Sequence, residues 1–357
     1  MNDWPRAILH LDMDAFFVNV HILDCPEDAG IPLVVGGRPE YRGVVASASY
    51  EARQLGIRSA MPAKTAVRLC PRLKIVSANW ERVRQCSRQV MDVLQQYGPV
   101  EKMSVDEAYV DLTGQENPEK MAAEVKTAVT SQTRLPCSVG LATSKLVAKV
   151  ASDHDKPDGF TIVPPGSEAA FLAPLSTRAL WGIGPKTAEK LARQDITTCG
   201  QLAAADLSVL RRAVRSHAES LQRRAAGIDS RAVQADRGPA KSISQEWTFN
   251  EDVSDPEILR DSLQKMCERV AQSLQKRQLL AHTVTVKFRW ADFTTYTRQK
   301  TVEVGFDDIQ TLYALAHALW QEHWPRDKKL RLLGVGVGNL EKPMVRQLGF
   351  DFFTERP

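Results

Sequence analysis

Apolar positions change their spacing three times along the chain, and each change marks a different kind of segment. Residues 7–12 form a short apolar run ending on a carboxylate, which predicts a buried strand. Residues 33–37 predict another, ending in glycines, and 44–46 and 73–76 predict two more. Helical spacing appears over 50–55 and 62–69. A long amphipathic helix is expected over 81–97, stopped by Gly98-Pro99. The run 105–112 is strand-like but broken by two acids. A helix is expected over 118–132, a strand over 137–142, and a helix over 146–153 running towards Lys156-Pro157-Asp158-Gly159. This mixture predicts one α/β or α+β catalytic domain over 1–163.

From 164 to 235 the pattern is helical throughout. Residues 236–241, rich in Gly, Pro and charge, predict a linker. Beyond it, alternation predicts strands over 284–290, 301–304 and 332–340, with amphipathic helices over 256–278 and 308–322. If 243–249 supplies a first strand, the order is β-α-β-β-α-β, the ferredoxin-like split arrangement.

The 357 residues suffice for two or three domains, and 43% hydrophobic with 25% charged content is that of a soluble globular chain. No apolar run approaches a membrane span, and the first residues lack the basic region of a signal peptide, so a cytoplasmic protein is expected. Six cysteines, none at C-x-x-C spacing, predict reduced and mostly buried thiols rather than a zinc knuckle. The histidines form no close ligand pair, so a catalytic metal would have to be held by oxygen. Net charge is +4 with a pI near 8.7. The cations at 210–215 and at Arg223-Arg224 suit a nucleic-acid surface or a solvated helix face equally.

Two acidic clusters carry the chemistry. Asp12-Met13-Asp14 ends the first strand, and Asp106-Glu107 interrupts the apolar run 105–112. Buried acids without a partner are costly, but they become sensible facing a hard cation. Neighbours on a regular strand point to opposite faces, so Asp106 and Glu107 can share a site only at a strand end, turn or bulge. Oxygen-only donors fit Mg²⁺. Three carboxylates can hold two ions about 4 Å apart, as phosphoryl transfer requires. Helix caps and surface turns account for Asp14 and Asp111 well enough, but not for Asp106-Glu107.

The stretches Leu11-Asp12-Met13-Asp14-Ala15-Phe16-Phe17 and Ser104-Val105-Asp106-Glu107-Ala108-Tyr109 resemble the two metal motifs of the Y-family, or translesion, DNA polymerases. Residues 42–53 and 56–62 are similar to that family's fingers motif, and 144–152 leading into Lys156-Pro157-Asp158-Gly159 to a further signature. The resemblance spans the chain nearly end to end and is closest to the bacterial DinB branch. It implies a right-hand α+β fold: a ferredoxin-like palm over 1–14 and 77–163, small fingers over 15–76, a helical thumb over 164–235, a linker over 236–243, a β-α-β-β-α-β little finger over 244–343 and a tail over 344–357.

The resemblance also implies roles. Asp12, Asp106, Glu107 and the Met13 carbonyl would bind two Mg²⁺ ions, with Mn²⁺ as a substitute. Ser47, Tyr50, Arg53 and Lys156 would hold the incoming triphosphate of a dNTP. Phe16 and Phe17 would border the nucleotide, Phe17 as the steric gate against a ribose 2′-OH and Phe16 mainly as core packing. Residues 180–191 resemble a helix-hairpin-helix, where Gly182, Gly184 and Lys186 would meet a phosphate of primer-template DNA. In the tail, Gln347, Leu348, Phe350, Phe352 and Phe353 resemble a sliding-clamp-binding peptide. The chain departs from the pattern at Val18-Asn19-Val20-His21 and at Ser244.

The function implied is template-directed, low-fidelity translesion synthesis by a monomer without proofreading. Two other readings compete. A catalytically inactive polymerase-like scaffold at stalled forks would not need Asp12, Asp106 and Glu107. A structure-specific nuclease would leave residues 50–53 unexplained.

Overall fold

Strand β1 (Ile8–Met13) is buried along nearly its whole length because both of its edges are paired. The structure, a computed structural model, describes residues 4–236, 238–324 and 328–343. Two compact units are present, Met1–Arg237 and Gly238–Pro357.

In the first unit the remaining strands are β2 (Leu33–Gly36), β3 (Val45–Ala48), β4 (Lys74–Val76), β5 (Val100–Lys102), β6 (Glu107–Asp111), β7 (Cys137–Ala142) and β8 (Phe160–Ile162). Five of them form a sheet in the order β5-β6-β1-β7-β8. Strands β2, β3 and β4 form a separate small sheet in the order β3-β2-β4. Strand alternation divides the residues of β1 between two cores. Leu9, Leu11 and Met13 pack with Ala108 and Val110 against the helices Trp80–Leu94 and Pro118–Thr133. Ile8 and Tyr109 face the other way, under the helix Lys145–His154 and the short helices that follow. Asp12 and Glu107 have the parity of this second face, and they are direct cross-strand partners.

Gly140 on β7 lets that helix approach closely. A Cβ there would lie 2.2 Å from the Ala148 carbonyl oxygen and 2.4 Å from the Ser152 nitrogen. The close packing brings the helix over β1 and β7, and with it Lys149.

The stretch 164–235 is not helical throughout, as the pattern predicted. Short helices at Glu168–Leu172, Pro185–Ala192, Cys199–Ala204, Leu207–Val214 and Ala218–Ala225 alternate with turns. Helix ends at Gly227, whose φ of 79° belongs to the left-handed region. Extended chain follows and is tied back by polar contacts. Arg6 Nη2 donates to the Arg231 carbonyl at 2.7 Å, and the Gln234 backbone N–H donates to Glu101 Oε2 at 2.7 Å.

The second unit contains β9 (Ser242–Val253), β10 (Leu280–Trp290), β11 (Thr295–Phe306) and β12 (Leu330–Glu341), with helices Pro256–Arg277 and Ile309–His323. Its element order is β-α-β-β-α-β, and the strands stand in the order β11-β10-β12-β9. Each helical crossover therefore joins two strands split by a third. The second and fourth strands are central here, whereas in the first unit the first and third strands of the same six-element order (β1 and β6) are. The strands run longer than the pattern predicted, because exposed polar residues on β11 interrupt the apolar alternation without ending the pairing.

Candidate active site

Asp12 and Glu107 sit opposite each other at the ends of β1 and β6. Asp106 precedes β6 in a bend, and its carbonyl accepts the Met13 N–H at 2.9 Å. The strand end thus frees Asp106 from the alternation that would send it to the far face. Ser104 Oγ donates to Asp106 Oδ1, and its oxygen accepts the Asp106 and Glu107 backbone N–H groups, which fixes the bend.

Two lysines face these acids. Lys149 Nζ lies 2.7 Å from Asp12 Oδ2 and 3.1 Å from Glu107 Oε2, and Lys156 Nζ lies 2.6 Å from Asp12 Oδ1. Asp153 contacts both lysines at 3.3 and 3.0 Å. On the far side of Glu107, His10 Nε2 stands at 3.6 Å, beyond an ordinary hydrogen bond, and His10 Nδ1 pairs with Ser152 Oγ at 2.8 Å.

The electrostatics follow from this arrangement. Burial pushes the Asp12 carboxyl up, but Lys149 and Lys156 outweigh it and hold it below its ordinary value. Glu107 is drawn down to about 2 by His10 and Lys149; the closer Lys149 contact is the direct ion pair. Asp106 is raised by burial, opposed by Ser104 and reinforced by the like charges of Asp12 and Glu107. An all-oxygen donor set with one carboxyl in an unfavourably negative field fits a hard divalent cation.

Next to this cluster, Asp14 has a structural task. Its carboxylate accepts from Tyr50 Oη at 3.0 Å, from Ser138 Oγ at 3.0 Å and from the Asp158 N–H at 2.8 Å. It therefore joins the helix Tyr50–Gln54 to the five-stranded sheet. Arg53 lies over the Tyr50 ring at 4.6 Å and donates from Nε to the Ala48 carbonyl. Tyr50, Arg53, Arg58 and Lys156 line an open cavity of about 720 Å³. Ser47, on β3, is buried.

After Asp14 the chain turns through Ala15 in a left-handed conformation, φ 42°, and the helix Phe16–Asp24 begins. Phe16 is 2% exposed and belongs to the core, so its side chain is not available to a nucleotide. Phe17 is half-buried, its ring edge-on to Trp80 at 5.4 Å, and Trp80 is 54% exposed. At the hairpin turn, Gly182 has φ 91°, Gly184 caps the helix Pro185–Ala192, and Lys186 is exposed. Residues 347–353 lie outside the described residues.

The impB/mucB/samB family matches residues 11–153, and its C-terminal domain matches 240–350. A DNA polymerase IV of Dehalococcoides mccartyi is 40% identical over 352 residues, covering 97% of this chain and 90% of that protein. The chain belongs to the Y family of DNA polymerases, in its DinB branch. A DNA polymerase IV of Halorhodospira halophila is 39% identical over 98% of this chain and 99% of that protein. Among solved structures, a Y-family polymerase chimera, Dbh-Dpo4(243-245)-Dbh, superposes with a TM-score of 0.83 at 24% identity, covering 94% of this chain and all of that one. That likeness concerns the fold, and it agrees with the right-hand arrangement expected of the family. A divalent-metal requirement goes with membership. Lys149, Ser104, His10 and Asp153 were not singled out from sequence. Of these, Ser104 and Lys149 lie within quoted signatures, but nothing in their spacing ties Ser104 to the Asp106 carboxylate or Lys149 to Asp12.

Proposed function

We propose that Asp12, Asp106 and Glu107, with the Met13 carbonyl, hold two Mg²⁺ ions in a template-directed DNA polymerase that carries out translesion synthesis. The observation that carries this is the cross-strand pair Asp12–Glu107 with Asp106 freed at the strand end beside it. Bound there, the ions supply Lewis-acid stabilisation of the attacking and leaving oxygens. The primer 3′-OH oxygen forms a bond to the α-phosphorus of a dNTP and gives up its proton to solvent, the bond from that phosphorus to the bridging oxygen breaks, and pyrophosphate leaves.

The chain's own groups position the reactants. Tyr50, Arg53 and Lys156 face one open cavity and bind the triphosphate by charge and hydrogen bonding, with Ser47 beside them. Phe17 excludes the 2′-OH, its ring angle set by Trp80. Phe16 contributes only through its backbone. Gly182, Gly184 and Lys186 meet a phosphate of primer-template DNA. Mn²⁺ replaces Mg²⁺ at the same donors. Synthesis is of low fidelity and without proofreading, by a monomer in the cytoplasm that docks a sliding clamp through Gln347, Leu348, Phe350, Phe352 and Phe353. No helix among the described residues is long and apolar enough to cross a membrane. The inactive-scaffold reading finds no support among the relatives.

Primer extension with Mg²⁺ and dNTPs, wild type beside Asp106→Ala, tests the metal site. Loss of one such group is expected to cost at least ~10²-fold in rate. Equal extension by both proteins would overturn the assignment.

A further inference from the structure

Away from the carboxylates, His21, Cys25 and Asp28 are the one group of His, Cys, Asp and Glu among the described residues whose ligand atoms all lie within 4.8 Å of one another. We infer that these three side chains form a separate site for one thiophilic divalent cation of the Zn²⁺ class. Three independent features of local structure bring them together. His21 lies in the last turn of the helix Phe16–Asp24, and Cys25 caps it, its backbone N–H bonded to the His21 carbonyl. The spacing of four residues puts both on one helix face. Asp28 closes the 3₁₀ turn Pro26–Asp28 that follows.

The two oxygens of Asp28 are divided between partners. Oδ2 lies 2.7 Å from His21 Nε2, and Oδ1 lies 2.6 Å from Lys74 Nζ on the edge strand β4. Lys74 fixes the carboxylate's orientation from outside, as outer partners of metal ligands do, and leaves Oδ2 turned to the site.

The donor set is one imidazole, one thiol and one carboxylate. It suits Zn²⁺ in tetrahedral coordination with water as the fourth ligand. The sulfur donor separates it from the all-oxygen site, which prefers Mg²⁺. The position at a helix C-terminus, where carbonyl dipoles point outward, favours a cation. On binding, the Cys25 S–H loses its proton to solvent and the thiolate bonds to the cation; the His21 Nε2 proton also passes to solvent, leaving a neutral ring with its hydrogen on Nδ1, and the cation takes the place of the His21–Asp28 hydrogen bond. Through Asp28 and Lys74 the cation would tie the helix Phe16–Asp24 to β4.

Alkylation tests the site, because Cys25 is only half-buried while the other five cysteines are buried. The untagged full-length protein is treated with iodoacetamide, and labelling of each cysteine is followed by mass spectrometry. One equivalent of Zn²⁺ is expected to slow Cys25 labelling by ~10-fold or more, because the metal-bound thiolate is withdrawn from attack. A chelator restores the rate, Mg²⁺ has no effect, and Co²⁺ gives a thiolate charge-transfer absorption. His21→Ala and Asp28→Asn each relieve the protection. Unchanged labelling of the wild type with Zn²⁺ would overturn the site and leave His21, Asp28 and Lys74 as a structural polar network. Full protection persisting in both variants would overturn it equally, assigning the effect to the thiol alone.

Discussion

Lys149 Nζ lies 2.7 Å from Asp12 Oδ2 and 3.1 Å from Glu107 Oε2, so one ammonium group spans the two carboxylates that face each other across β1 and β6. All three side chains are largely shielded from water. The lysine thus supplies the counter-charge that a cation would otherwise supply. Removing one partner of such a cluster leaves uncompensated negative charge. Lys149→Met is expected to destabilise the metal-free protein by about 1–3 kcal/mol. It should also tighten divalent-cation binding, since a competing cation is gone. Mg²⁺ would then raise the melting temperature of the variant more than that of the wild type. Urea unfolding gives the first quantity, and melting with and without Mg²⁺ the second. An equal Mg²⁺ effect on both proteins would contradict this account.

Phe17 and Trp80 make the second prediction. An aromatic ring whose angle is set by an edge-on neighbour discriminates by shape, and it loses that discrimination when either ring is removed. Phe17→Ala is expected to reduce the preference for dNTP over rNTP by ~10²-fold or more. Trp80→Ala, which leaves the gate but frees its angle, should reduce it by a smaller factor. Single-nucleotide incorporation kinetics with matched dNTP and rNTP measure both. Unchanged selectivity in Phe17→Ala would remove Phe17 from the role.

How far the site could be read from sequence follows from which residues violate a local pattern. Asp12, Asp106 and Glu107 stood out because acids in an apolar strand need a reason. Lys149 did not, because a lysine in an amphipathic helix reads as solvated. Only the packing permitted by Gly140 places it against Asp12, 137 residues away. Strands β5 and β8 have three residues each, too few for alternation to register. The helical reading overran Gly227 because the apolar spacing of the last helix continues past its stop signal. The six-element order of the second unit was legible, since β10 alternates strongly and both helices carry a buried apolar face. Its pairing order was not, because pairing is decided by partners distant in sequence.

His10 is fully buried, and burial holds its ring below the ordinary value of 6.5, despite the nearby acids. In the unfolded chain it titrates near 6.5, so below that pH the unfolded state binds the extra proton. Stability is therefore complete above pH 6.5 and is lost on acidification below it, with a slope of up to about 1.4 kcal/mol per pH unit. Glu107, drawn down to about 2 from 4.5, adds a second loss of the same sign as pH falls from 4.5 towards 2. Urea denaturation from pH 7.5 to 5 should show the first slope in wild type and a flatter one in His10→Asn. A profile that stays equally steep in the variant would assign the acid sensitivity elsewhere.

The last prediction concerns the tail. Leu348 and three phenylalanines fall within six residues, and apolar side chains so grouped call for a partner pocket. On the proposed reading a sliding clamp supplies that pocket, and tethering would offset the low processivity that goes with it. Deleting residues 347–353 is expected to leave distributive primer extension within about twofold of wild type, because the deletion lies outside every group placed at the reacting atoms. Stimulation by added clamp should vanish. Extension on a primed circular template, with and without the clamp, separates the two effects. If the truncated protein is stimulated as strongly as the full chain, the clamp contact lies elsewhere on the molecule.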